Sequence, residues 1–571
     1  MTVDSLLSER CADGAGDIVS PASSQIDVSS PTGQVSRLRV ERVDLLLKTA
    51  QQFIMSARLT EAIAVLRDVL AIDPQSAQAY LFFATAYEAM GSIEESMAAF
   101  RTACDLEPDN VGLVSASVFG IDRDPAATLA DGYAIRQRFA QLITRAMPPG
   151  LPHTNNRDPE RTLRVGYVSG DMRNHSAAKV FGSVVMKHDP REVDVCAYAT
   201  SPGEDWLTQT MKEHVPHWRD VSLWSNDRLY DQIRADQIDI LVDLSGHTAG
   251  NRLAVFARKP APVQVTAWGY ITGTGLPQID YMFADADTVL PGEEQWYAEE
   301  IVRLPRIVPF WPIDPSIVGP PSPLPCIKNG YLTFGVLNRI GKLKIGTIEL
   351  WARILAQVPD ARLIVKAPGM EDPQIRSLIQ QRFEQFGTNL AQLQFRGGTD
   401  AIEHQKTYHE IDVGLDPWPD GGGVSTLEAL WMGVPSVTMP YRQIASRLTT
   451  SFQNELGLPW LSASSADEYV DRAVALNSQR QELARVRSLL RDLMCVSVLC
   501  NTPVYVNVVQ DTYRHMWRRW CAEQTAGHRL PSPFAQPSPP APSVDADRQI
   551  PPAPDIIRPV VQRHPMTLVA S

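Results

Sequence analysis

The sequence predicts an α/β protein with an all-α N-terminal part, in which helical repeats precede two doubly wound parallel sheets. Three observations carry this expectation. A helical unit returns at a 34-residue interval between residues 41 and 108. From Leu163 onward, short apolar runs alternate with helix-length segments, which implies parallel strands covered by helices on both faces. The alternation is broken once, by GPPSPLP at residues 319–325, and then resumes.

Residues 1–38, rich in Ser, Asp, Gly and Thr, lack periodicity and are expected to be disordered. Residues 39–150 hold the repeats and their capping helices. Glu61 and Glu95, Ile63 and Met97, Leu66 and Phe100, and Pro74 and Pro108 each lie 34 apart. With Ala62, Ala84 and Tyr87, this period resembles the tetratricopeptide repeat, whose stacked helix pairs leave a groove for extended peptides. Pro125 suits the first turn of a capping helix that runs to Met147. Residues 151–318 form a first Rossmann-like domain, with LRVGYVSGD, VDVCAYATS, DILVDLSG and VQVTAWG as strands. A linker at 319–330 leads to a second such domain at 331–525, with strands in YLTFGVLN, RLIVKAP, LQFRGG, DVGLDP and PSVTM. Residues 526–571 are expected to be a disordered tail, since 11 of the 44 prolines fall in 531–571.

Composition excludes several classes. A net charge of −12 argues against a general nucleic-acid binder, which needs a basic face. The seven cysteines are scattered singly and form no CxxC pair, which suits reduced thiols in a cytoplasm. No basic start with a following apolar run opens the chain, and no run of 18 apolar residues occurs, so neither a signal peptide nor a membrane span is expected.

The chemistry concentrates in LDPWPDGGGVSTLEALWMGVPSVTM, beginning at Leu415. Gly421, Gly422 and Gly423 let backbone approach a ligand, and a helix opened by Ser425 and Thr426 turns its free N–H groups toward a phosphate. Glu428 could reach a ribose hydroxyl, although Ser425-x-x-Glu428 equally fits a capping box. His175 follows the first strand of the first sheet, where a histidine can move a proton or simply be structural. His247 stands at another strand end, and Thr274 lies between Gly273 and Gly275 in a loop that reads as a ligand wrap or a plain turn. Lys342 and Lys344 follow a strand where a cation could meet a diphosphate. His404, between a strand end and the next helix, is placed to stack on a base or bond a carbonyl. Of three DxD strings, only Asp285-Ala286-Asp287 falls inside a sheet domain, and as a metal site it is a chance-level match. Without a metal, a diphosphate must be neutralised by lysine and a helix end.

Taken together, the repeats, GYVSGDMRNHS, LSGHT, KPAPVQVTAWGY, LKIGTIELW and the glycine-loop segment resemble the O-linked N-acetylglucosamine transferase family, which the plant Spindly-type O-fucosyltransferases join. The resemblance covers about residues 41–521, the motifs standing in the family's order. It implies a repeat superhelix on a two-Rossmann (GT-B) glycosyltransferase that is inverting, needs no metal or cofactor, and moves sugar from a nucleotide diphosphate to Ser or Thr hydroxyls. It places the base or sugar-binding histidine on His175, the pyrophosphate lysine on Lys342, the base-stacking histidine on His404 and the ribose carboxylate on Glu428. UDP-N-acetylglucosamine is the expected donor, with GDP-fucose or an inactive peptide-binding scaffold as alternatives. The animal pattern has His-Thr-Thr where this chain has Gly423-Val424-Ser425. Protein acceptors are expected along the repeat groove, so removing residues 1–110 should spare nucleotide binding but reduce transfer to proteins.

Overall fold

The computed structural model describes residues 31–530, 532 and 534. Among the described residues six helices come first: α1 (Pro31–Met55), α2 (Leu59–Ile72), α3 (Ala77–Ala89), α4 (Ile93–Leu106), α5 (Val111–Ile121) and α6 (Leu129–Ala146). They form hairpins because each carries an apolar stripe that only a neighbour can cover. Leu66, Phe82, Phe83 and Phe100 share one buried cluster, so the 34-residue period is the period of packing. Helix α1 starts at Pro31, inside the stretch expected to be disordered, since a proline at a helix start loses no hydrogen bond. The rest of that stretch lies outside the described residues. Pro125 is not in the first turn of the capping helix. It precedes α6, which a Thr128–Asp131 capping box opens instead.

Two parallel sheets follow. The first has seven strands: β1 (Leu163–Ser169), β2 (Val193–Ala199), β3 (His217–Asp220), β4 (Ile240–Asp243), β5 (Val263–Thr266), β6 (Tyr281–Ala284) and β7 (Glu300–Arg303). Their order is β3-β2-β1-β4-β5-β6-β7. The second has β8 (Thr333–Leu337), β9 (Arg362–Lys366), β10 (Leu393–Arg396), β11 (Val413–Leu415) and β12 (Ser436–Val437), in the order β10-β9-β8-β11-β12. Strands β3, β6 and β7 were not anticipated. They are only four residues long, and β3 (HWRD) carries no apolar run to betray it.

The strand order decides where the site lies. It reverses between β1 and β4 in one sheet and between β8 and β11 in the other. At such a switch point, loops leave in opposite directions and open a crevice at the strand C-termini. The loops after β1, β4, β8 and β11 are the ones that hold His175, His247, Lys342 and the three glycines.

The C-terminal helix Thr502–Ala526 departs from the expected division at 525. It packs on the first sheet's side: Tyr513 stacks at 6.0 Å on Phe283 of β6, and its hydroxyl lies 3.3 Å from that of Tyr167 in β1. From this helix Arg519 donates to the Leu530 carbonyl at 2.8 Å, and Phe534 meets Tyr281 edge-on, so the start of the proline-rich tail is fastened to the helix and the first sheet. The remainder of the tail lies outside the described residues. Among the described residues, no helix is long and apolar enough to cross a membrane.

Candidate active site

A cleft of about 1970 Å³ opens between the two sheets and runs onto the inner faces of α3–α6. His175, His247, Lys342, His404, Gly421, Gly423, Ser425 and Glu428 all line it, which brings eight of the eleven anticipated residues to one cavity.

The helix after the glycine loop spans Val424–Trp431 and has Gly423 at its N-cap with no side-chain cap. The Thr426 and Leu427 N–H groups bond the Gly423 carbonyl, whereas among the described residues no group accepts from Val424 or Ser425 N–H. The capping-box reading does not hold. Ser425 Oγ donates to Asn338 Oδ1 at 3.2 Å, and Glu428 turns to other partners. Nor do all three glycines serve a ligand. A Cβ on Gly422 would sit 2.1 Å from Thr426 Oγ1 and 2.8 Å from Asp416 Oδ1, so this glycine lets the loop fold against its own helix. Gly423 is the open one, with only Leu448 at 3.5 Å. Thr426 is buried against the Thr449 hydroxyl at 3.0 Å and does not reach the cleft.

Lys342 ends a short 3-10 turn after β8. Its ammonium donates to the Gly421 carbonyl and lies 3.5 Å from Asp420 Oδ1. Burial pulls its pKa below the usual lysine range, against the attraction of Asp420. Glu428 is bound from across the cleft: Lys179 of the helix Ala178–Lys187 meets Oε1 at 2.6 Å, and His404 Nε2 stands 3.6 Å from Oε2. Burial alone would raise the Glu428 carboxyl, but Lys179 and His404 hold it down at about 2. It is therefore a carboxylate across the physiological range. His404 lies within the helix Ala401–Thr407, edge-on to Tyr408 at 5.8 Å.

His175 is 8 % exposed, its Nδ1 accepting from Ala177 N–H at 3.2 Å and standing 3.5 Å from Asp171 Oδ2. A backbone N–H can only donate, so the neutral ring carries its proton on Nε2. Burial lowers its pKa and favours that neutral form.

Two expected contacts are structural. His247 is spent on the junction between repeats and sheet. Its Nε2–H donates to the Thr274 carbonyl at 2.9 Å, its Nδ1 faces the Ser115 hydroxyl of α5 at 3.0 Å, and Phe139 of α6 meets the ring edge-on at 4.6 Å. Thr274 is fully buried, donating through N–H and hydroxyl to Glu299, so its glycine-flanked loop wraps a carboxylate of the protein rather than a ligand. The carboxylates of Asp285 and Asp287 are likewise engaged. Asp285 Oδ2 accepts from Ser451 at 2.6 Å and Ile307 N–H at 2.9 Å, while Asp287 pairs with Arg306 and Asn454.

His247 gives the junction a pH signature. Burial pushes its pKa down to about 3 from an ordinary value of 6.5. The unfolded chain takes up a proton there that the folded chain refuses. This contribution to stability is therefore complete above pH 6.5 and is lost as pH falls toward 3. We expect His247→Gln to flatten the pH dependence of the unfolding free energy by about one proton across that window. Urea titrations at several pH values measure it, and identical slopes would remove His247 from the account.

Sequence reasoning missed Lys179, Asp420, Arg339 and Arg123. Lys179 stands four residues after His175, in the first turn of the next helix, and Asp420 directly precedes the glycines, so both carried a positional signal. Arg123 carried none, since nothing local ties the repeats to the glycine loop.

Comparisons with known proteins agree with this architecture. The model of Glycosyl transferase family 41 matches residues 139–309 and 326–509, and a tetratricopeptide-repeat model matches 53–116. A Petunia hybrida protein named probable UDP-N-acetylglucosamine–peptide N-acetylglucosaminyltransferase SPINDLY is 36% identical over 378 residues, covering 64% of this chain and 40% of that one. A Caenorhabditis elegans UDP-N-acetylglucosamine–peptide N-acetylglucosaminyltransferase is 25% identical over 475 residues, covering 63% and 41%. The chain thus spans about two fifths of the length of these curated relatives. A solved O-GlcNAc transferase mutant from Thermobaculum terrenum superposes with a TM-score of 0.78 at 30% identity, over 86% of this chain and 99% of that one. Helical repeats, two parallel-sheet domains and a cleft at their switch points, matched by a family model over most of the chain, show that this protein belongs to glycosyl transferase family 41.

Proposed function

We propose that the chain transfers N-acetylglucosamine from UDP-N-acetylglucosamine to serine or threonine hydroxyls of proteins, with inversion and without a metal or cofactor. The observation that carries this reading is the meeting, in one cleft, of Lys342, the two unengaged N–H groups of Val424 and Ser425, and Glu428, with His175 lining the same cavity. The diphosphate would lie at the helix start beside Lys342, where N–H groups and the helix dipole favour an anion. Glu428, ionised and held by Lys179, would accept from the ribose, and His404 would stack on the base. The acceptor hydroxyl adds to the anomeric carbon as the bond to the diphosphate breaks, and its proton passes to the departing diphosphate. Lys342 and the helix end stabilise the charge that develops on the leaving group. With Nδ1 occupied by Ala177 N–H, His175 serves as a hydrogen-bond donor to the sugar. The cleft's continuation along α3–α6, past Leu81, Asn110 and Phe119, gives an acceptor peptide a place to lie.

The named relatives support UDP-N-acetylglucosamine as donor, and the GDP-fucose alternative is not favoured. Calorimetry with UDP and GDP, joined to a transfer assay in excess EDTA, tests the proposal. We expect UDP to bind, GDP to bind more weakly, and transfer to a peptide from UDP-N-acetylglucosamine to persist under chelation. Failure of UDP to bind would sink the reading. Preference for GDP would hand the site to the fucose donor, and activity restored only by Mg²⁺ or Mn²⁺ would show that a cation takes part.

A further inference from the structure

We infer that Arg123, at the end of the helical repeats, is a positioning residue for the donor: by sharing the Asp420 carboxylate, it keeps the Lys342 ammonium available to a diphosphate. The inference rests on the donor site proposed above. Asp420 directly precedes the glycine loop, is nearly buried, and faces three cations at almost equal distances. Lys342 Nζ stands 3.5 Å from Oδ1, Arg339 Nη2 3.5 Å from Oδ2, and Arg123 Nε 3.6 Å from Oδ2. None of these is a close hydrogen-bonded pair. Among the described residues, buried Asp420 Oδ2 has no hydrogen-bond partner. The carboxylate is divided among the three rather than owned by one.

Arg123 is fixed in this position from the repeat side. Its guanidinium lies 3.7 Å from the centre of the Phe119 ring and pairs with Glu88 of α3, and its carbonyl accepts from Lys344 Nζ at 2.7 Å. Arg339 stands 3.9 Å from the same Glu88. Four cations, Arg123, Arg339, Lys342 and Lys344, therefore surround Glu88 and Asp420, with Asp416 behind them already accepting from Gly422 N–H and the Thr438 hydroxyl. The positive excess borders the cleft beside Gly421, where an anion completes the balance.

Asp420 and the diphosphate compete for one ammonium. With Arg123 in place, the attraction of Asp420 is spread over three partners. Without it, the carboxylate loses one of the cations that share it, and in a poorly hydrated setting it holds Lys342 harder. A part of the protein that sequence places in the acceptor-binding repeats thus completes the donor site.

Calorimetry with UDP on the full chain, for wild type, Arg123→Gln, Asp420→Asn and the double variant, is the test. We expect Arg123→Gln to weaken UDP binding by about tenfold, the scale of one charge-assisted contact. Asp420→Asn alone should tighten binding, and adding it to Arg123→Gln should return the affinity to wild type or better. Uridine, which lacks phosphates, should bind Arg123→Gln and wild type alike when followed by ligand-observed NMR. A general loosening of the fold would weaken both ligands and would not be rescued by Asp420→Asn; that result overturns the inference, as does an unchanged UDP affinity. Should Arg123→Gln fail to fold, Asp420→Asn decides alone, and weaker UDP binding by it refutes the competition. If wild type binds no UDP, the donor-site reading has failed first.

Discussion

Lys342→Ala should cost the protein most of its UDP affinity and nearly all of the proposed transfer activity while leaving the fold intact. The side chain is buried beside the glycine loop, where its ammonium anchors the Gly421 carbonyl and faces Asp420. A charge-assisted contact to phosphate is worth roughly 1.5–3 kcal/mol, or about 10- to 150-fold in affinity. Turnover should fall further, since negative charge grows on the diphosphate as the sugar leaves, and one lost stabilising donor costs about 10²–10³ in rate. The truncation also releases Gly421, so the loop loses its anchor. Stability should hold, because burial already makes the ammonium a costly group, as its lowered pKa shows. Calorimetry with UDP, a transfer assay and a thermal melt together check this. A variant that binds UDP as the parent does would remove Lys342 from the site.

Deleting residues 1–110 should abolish nucleotide binding as well as transfer, contrary to what the repeat pattern by itself suggests. The repeats pack on the very turn that carries Lys342. Gly91, at φ +73°, brings the α3–α4 corner so close that a Cβ would lie 3.2 Å from the Leu343 carbonyl, and one on Gly341 would sit 2.6 Å from the Glu88 carbonyl. Arg382 of the second sheet's layer donates to the Met90 carbonyl at 3.0 Å and the Ser92 hydroxyl at 3.1 Å. Ala77 and Ala103 belong to the same apolar cluster as Phe139, Tyr198 and Ile233. Truncation would bare that cluster and strip Arg123 of Glu88. Each large apolar side chain exposed costs about 1.5–3 kcal/mol, and a domain has only about 5–15 kcal/mol in hand. We expect residues 111–571 to melt far below the parent or not cooperatively, and to bind no UDP. A truncated chain that folds and binds UDP at the parent affinity would show the repeats to be a detachable module after all.

The sequence by itself determined the kinds of element and most of their positions, because they rest on short-range periodicity. The 34-residue period is the spacing at which helix hairpins stack, and the long strands β1, β2, β8 and β9 are mostly apolar because both their faces are largely covered. The glycine loop and the helix after it were legible for the same reason, as were Lys342 and His175, which stand at strand ends.

Tertiary structure alone decided what those residues meet. The reversal of strand order at β1/β4 and β8/β11 is a matter of long-range pairing, and it turns four separate loops into one cleft. It also separates look-alikes that no local pattern distinguishes. Thr274 and Thr426 were as promising on paper as Ser425, yet both are buried on protein partners while Ser425 faces the cavity. His247 reads like His175 but locks the repeats to the sheet. The pairing of Lys179 with Glu428, 249 residues apart, and the sharing of Asp420 by Arg123 exist only after three parts of the chain have packed, because a charge chooses its partner by distance and burial and not by sequence spacing.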